Sequence, residues 1–80
     1  MVNVLDNRFD PVTLEVPAGT LVRWTNSGSN DHDVVSTDFK TFESPLLKTG
    51  QTFEFTAAQA GQFPYVCTLH DGMTAILTVR

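Results

Sequence analysis

Hydrophobic and polar residues alternate along most of this chain with a period of two. Val12, Leu14 and Val16 are spaced by Thr13 and Glu15, and Val22 and Trp24 by Leu21, Arg23 and Thr25. Phe53 and Phe55 sit between Thr52, Glu54 and Thr56, and Ala75, Leu77 and Val79 between Thr74, Ile76 and Thr78. Successive side chains on a strand point to opposite faces, so the pattern predicts strands that each bury one face against a second sheet. Breaks punctuate it regularly, at Asp10-Pro11, Pro17-Ala18-Gly19, Asn26-Ser27-Gly28-Ser29-Asn30, Thr49-Gly50, Ala60-Gly61 and Asp71-Gly72. That rhythm predicts an all-β sandwich or barrel of about seven strands, at 2–5, 12–17, 20–26, 32–36, 51–56, 62–67 and 73–79. Trp24, Phe53, Phe55, Phe63 and Tyr65 are the expected core aromatics. Ser36 to Leu47 is the least regular stretch and reads as a long loop; its Phe39 and Phe42 either cap the core or form an exposed patch. Only Thr56 to Ala60 could make a helical turn, too short to matter.

Eighty residues make one small domain, residues 1–80, without repeats, low-complexity tracts or linkers. A core this size is marginal and often needs an added staple. With one cysteine there is no intramolecular disulfide, which leaves a metal as the candidate staple. The net charge of −4 argues against a nucleic-acid partner, which would require clustered Lys and Arg. No apolar run approaches the ~20 residues of a membrane-spanning helix, so no transmembrane segment is expected. No Lys/Arg-led apolar segment opens the chain; this reads as a cytosolic protein, or as one whose leader has been removed.

The chemistry concentrates at Phe63-Pro64-Tyr65-Val66-Cys67-Thr68-Leu69-His70-Asp71-Gly72-Met73. Phe63, Tyr65 and Cys67 share one face, so if the aromatics point inward the thiol does too. His70 follows, then Met73, which opens the strand whose inward set is Ala75, Leu77 and Val79. His32 is the only other histidine, and alternation puts it on one face with Val34. Alone, each of these residues has an ordinary structural explanation; together they bring two imidazoles, a thiol and a thioether to one sandwich end. That soft, mixed set suits a trigonal copper site with a weak axial sulfur. Zinc favours four strong tetrahedral ligands, and calcium and magnesium favour oxygens that are scattered here.

The sequence also resembles the cupredoxins, the type 1 blue copper proteins of the plastocyanin and amicyanin family. The resemblance runs through Phe9-Asp10-Pro11, Val16-Pro17-Ala18-Gly19-Thr20, Val22-Arg23-Trp24-Thr25-Asn26, His32-Asp33-Val34 and Gly50-Gln51-Thr52-Phe53-Glu54-Phe55. It ends in the Cys67–Met73 segment, whose Cys-x-x-His-x-x-Met spacing is similar to the short loop of amicyanin. It implies a Greek-key sandwich holding one copper ion that alternates between Cu(I) and Cu(II). By resemblance, His32, Cys67 and His70 are equatorial ligands and Met73 is axial. His70 becomes the electron port, with Leu69 as its apolar neighbour. Asp33 stands where the family commonly has Asn, and would accept from Thr68 to tie the two ligand loops together. Leu69 replaces a loop proline, Asp71-Gly72 replaces a bulkier pair, and Phe63 stands where tyrosine is common.

The implied function is a monomeric one-electron carrier between redox proteins, in the periplasm or as an extracellular or membrane-anchored domain. The alternative is a copper-binding, storage or structural module of a larger exported protein. An enzyme is not expected, because two histidines cannot also build a second copper centre. A Cys67–histidine nucleophile oriented by Asp33 is disfavoured, because the thiol faces an apolar core rather than a cleft.

Overall fold

The computed structural model describes all 80 residues, as eight strands and no helix. The strands are β1 (Val2–Val4), β2 (Phe9–Asp10), β3 (Thr13–Val16), β4 (Thr20–Asn26), β5 (Val35–Ser36), β6 (Thr52–Ala57), β7 (Gly61–Val66) and β8 (Thr74–Val79). They form two four-stranded sheets, ordered β2-β1-β4-β6 and β3-β8-β7-β5. The chain crosses repeatedly from one sheet to the other. Only β1–β2 and β7–β8 therefore pair consecutive strands; β1 is parallel to β4, β3 is parallel to β8, and the remaining pairs are antiparallel. This is the expected Greek-key sandwich.

Alternation selects the buried face almost as predicted. Val22 and Trp24 on β4 are fully buried, as are Ala75, Leu77 and Val79 on β8 and Tyr65 on β7. Trp24 bridges the sheets, with ring centroids 5.5 Å from Tyr65, 5.7 Å from Phe53 and 5.4 Å from Phe42. Edge-on and tilted aromatic pairs of this kind add roughly 0.5–1.5 kcal/mol each beyond their area burial. The Trp24 indole N–H and the Tyr65 hydroxyl have no partner of hydrogen-bonding geometry. Burial pushes the Tyr65 hydroxyl up to about 12, opposed by the nearby Trp24 indole.

Several expectations are corrected. Phe53, Phe55 and Phe63 are only partly buried and pack against the core from its margin. Phe53 and Phe55 lie on β6, the edge strand of its sheet, where cover is incomplete. Val12 is 52 % exposed, because β3 begins one residue later. An additional two-residue strand, β2, pairs with β1 and is too short to leave a periodic signal.

The predicted strand 32–36 shortens to β5, and the loop that follows it is not irregular. His32 exchanges two backbone hydrogen bonds with Leu47, His32 N to Leu47 O at 3.0 Å and Leu47 N to His32 O at 2.7 Å. Further along, Val34 N donates to Ser44 Oγ at 2.8 Å and Ser36 N to Phe42 O at 2.9 Å. Residues 42–47 thus fold back along 32–36 as a hairpin partly stitched by serine hydroxyls. Phe42 from this segment is buried against Trp24 and Tyr65, whereas Phe39 at its tip is exposed with φ 54°. The two aromatics therefore divide the two roles open to them.

Candidate metal centre

The Cys67–Met73 segment closes on itself. His70 N donates to Cys67 O and Met73 N to His70 O, both at 3.4 Å, while Cys67 N donates to Met73 O at 3.0 Å. Two successive three-residue turns therefore return the chain between β7 and β8. Gly72 permits this by adopting φ +78°, which side-chain-bearing residues resist. The three-residue spacing brings the Cys67 and His70 side chains together, and Met73 closes the same loop. Cys67 and Met73 are buried at 3 % and 2 % exposure, and His70 is half-buried.

His32 arrives from the other direction and is fully buried. Its backbone is clamped by Leu47, and Leu47 is held in turn by Asn26 at the end of β4. The Asn26 side chain is fully buried; its Nδ2 donates to Leu47 O at 2.8 Å and to Asn30 O at 2.9 Å, and its Oδ1 accepts from Gly28 N at 3.0 Å. One amide thus fixes both ends of the 27–31 loop that delivers His32. In sequence Asn26 reads only as turn punctuation.

The three strong donor atoms meet. Cys67 Sγ lies 3.6 Å from His32 Nδ1 and 3.4 Å from His70 Nδ1, and all three ligand atoms fall within 4.8 Å of one another. The two imidazole rings lie alongside each other, with centroids 4.6 Å apart. Donors bound at ~2.0–2.3 Å to one ion in a trigonal plane would sit ~3.8 Å apart, so this triangle fits a single first-row metal ion. One sulfur with two imidazoles, and a buried methionine at the close of the same loop, match copper better than zinc.

Two carboxylates flank the donors. Asp33 accepts from Thr68 N at 2.7 Å through Oδ1 and from the Thr68 hydroxyl through Oδ2. The residues next to His32 and Cys67 are thereby joined. Asp6, between β1 and β2, lies on the opposite side of His32, its Oδ1 3.3 Å from Nε2. Asp6 also accepts from Asn30 N at 3.0 Å, Ser29 Oγ at 2.8 Å and Ser29 N at 2.9 Å. The Asn30 N–H, the Ser29 hydroxyl and the His32 ring hold its pKa down at about 2. Asp6 stands 26 residues from His32 in an ordinary Asp-Asn turn, and no sequence signal marks it.

A profile of the cupredoxin-like domain matches residues 1–79. The chain belongs to the cupredoxin-like family. Amicyanin-alpha of Methylorubrum extorquens is 28% identical over 86 residues, covering 99% of this chain and 70% of the relative. Halocyanin of Natronomonas pharaonis is 40% identical over 79 residues, covering 90% of this chain and 48% of the relative. The chain thus spans about half of the halocyanin. Among solved structures, a purple cupredoxin from Nitrosopumilus maritimus superimposes with a TM-score of 0.84 at 36% identity, covering 90% of this chain and 81% of the other. Cupredoxins are copper proteins that pass single electrons, and the His32, Cys67 and His70 cluster is where this cupredoxin has a possible site for that ion. No helix of the fold is long and apolar enough to cross a membrane.

All the residues singled out from sequence lie at this end. His32, Cys67 and His70 converge, Met73 is buried at the close of the same loop, and Asp33 and Thr68 bond to each other. Leu69 is 51 % exposed beside His70.

Proposed function

We propose that His32 Nδ1, Cys67 Sγ and His70 Nδ1 would be the three strong ligands of one copper ion, with the Met73 thioether as a weaker fourth donor, so that this cupredoxin carries one electron between two redox proteins. The single observation carrying this reading is the convergence of one sulfur and two nitrogens within 4.8 Å at the end of a strand sandwich. When bound, copper supplies the Cu(II)/Cu(I) couple. The protein's part is to hold the donors. Cys67 gives up its thiol proton and binds as thiolate. His32, fully buried and clamped through Leu47 and Asn26, keeps its place whichever redox state is present. Donors fixed by packing and hydrogen bonds reorganise little when charge changes.

His70 is the half-buried ligand, and exposed Leu69 lies next to it. An electron leaving through the His70 ring has the shortest way to solvent, and an apolar neighbour allows a partner to approach without stripping water from a charge. The chain works as a monomer outside the cytoplasm, free in the periplasm or as an anchored or extracellular domain. It transforms no substrate; both histidines already serve one ion.

Adding Cu(II) to copper-free protein should produce an intense visible band from thiolate-to-copper charge transfer. Cys67→Ser should abolish the band while leaving the fold, read by circular dichroism, intact. A wild-type protein that stays colourless overturns the reading. Reversible one-electron voltammetry separates a carrier from a storage or delivery module, which would bind copper without clean cycling.

A further inference from the structure

We infer that Asp6 is the positioning residue that holds His32 as its Nε2–H tautomer and so presents a bare Nδ1 to Cys67. The inference rests on the copper reading only for its consequence; the tautomer itself follows from the chain alone. An ionised carboxylate can accept hydrogen bonds but not donate them. Asp6 Oδ1 is 3.3 Å from His32 Nε2, and the His32 side chain is 0% exposed, so water does not compete at either ring nitrogen. A neutral imidazole carries one proton. On Nε2, that proton points at the carboxylate and leaves the Nδ1 lone pair directed at Cys67 Sγ, 3.6 Å away. On Nδ1, it would leave a lone pair against an anion across the buried ring. The first arrangement is the one a metal ligand requires, and a carboxylate behind a ligating histidine also strengthens the ring as a donor.

The local sequence is shaped around this contact. Asp6 Oδ1 is anchored by Ser29 N and Asn30 N, within the loop that delivers His32. A Cβ added at Gly28 would lie 2.1 Å from the same Oδ1. The glycine therefore leaves the room in which the carboxylate reaches the ring. The β1–β2 loop, which carries no candidate ligand, reaches across to orient one.

The test has two arms. In copper-free protein at mildly alkaline pH, long-range ¹H–¹⁵N correlation spectra should show His32 as the Nε2–H tautomer. Asp6→Ala should shift it toward Nδ1–H or an exchanging mixture. Asp6→Asn keeps an acceptor oxygen for Ser29 N, Asn30 N and the ring, so it should preserve the tautomer while removing the charge. With copper bound, Asp6→Asn should lower the preference for Cu(II) over Cu(I) by ~10-fold, a rise in midpoint potential of about 59 mV for a one-electron couple. Ser29→Ala, which removes only the hydroxyl bond to Oδ2, should change neither readout. The inference is overturned by an Nδ1–H tautomer in the wild type, by an Asp6→Ala spectrum unchanged from it, or by an unaltered potential in Asp6→Asn. Because the first arm contains no metal, a protein that failed to turn blue would sink the copper reading and leave the Asp6 result standing.

Discussion

Asp33 sits where the two ligand-bearing segments touch, and its carboxylate takes both the N–H and the hydroxyl of Thr68. Any charge there lies one residue from His32 and, through Thr68, one residue from Cys67. A negative charge favours the more positive oxidation state of a nearby ion. Asp33→Asn keeps an acceptor for Thr68 N and removes the charge, so the midpoint potential should rise, on the order of 30 mV or a ~3-fold change in relative affinity, by voltammetry. An unchanged or lower potential would count against an electrostatic role for Asp33 at the site. Asp33 and Thr68 were readable in sequence because each adjoins a candidate ligand. Asp6 and Asn26 were not, since they act on His32 from other loops, and nothing in a turn residue's identity says which side chain it will face.

At the scale of elements, the segment from Ser36 to Leu47 shows why an irregular sequence can be ordered. Its tight end is built on Asp38, whose carboxylate accepts from Ser36 Oγ at 2.6 Å, Lys40 N at 2.9 Å, Thr41 N at 3.0 Å and Thr41 Oγ1 at 2.6 Å. These bonds, the Ser36 hydroxyl foremost, hold its pKa well below the ordinary 3.8. A depressed folded-state value means the stabilisation is fully present above the unfolded value and is lost as pH falls below it. The urea midpoint should therefore stay level from neutral pH to about pH 5 and decline below about pH 4. Asp38→Asn should make that decline shallower, with the remainder due to groups such as Asp6. An identical acid profile for Asp38→Asn would show that the turn does not hold the segment. Periodicity could not reveal this hairpin, because its rungs include serine side chains that break the backbone ladder, and because Phe39 and Phe42 lie on opposite sides of the turn.

For the molecule as a whole, the decisive quantity is the margin of stability. One cluster of 16 buried residues supports the chain, and its single cysteine is free. A ligand that binds only the folded state stabilises it in proportion to the logarithm of its excess over the dissociation constant. At ~1,000-fold excess the gain is ~4 kcal/mol. For a chain this size that corresponds to roughly 20 °C in thermal midpoint, measurable by scanning calorimetry of copper-free and copper-loaded protein. Equal midpoints would mean the site is not a stabilising cross-link between the His32 and Cys67 segments. The sequence by itself determined the strand count to within one, the inward faces of β4 and β8, and which residues are candidate donors. Those properties follow from a two-residue period and from donor chemistry written into residue types. Only the tertiary structure decided that Phe53, Phe55 and Phe63 are partly buried, that Asn26 holds the loop leading to His32, and that Asp6 stands behind the buried histidine. Each of these depends on how segments remote in sequence pack together, and local pattern carries no information about that.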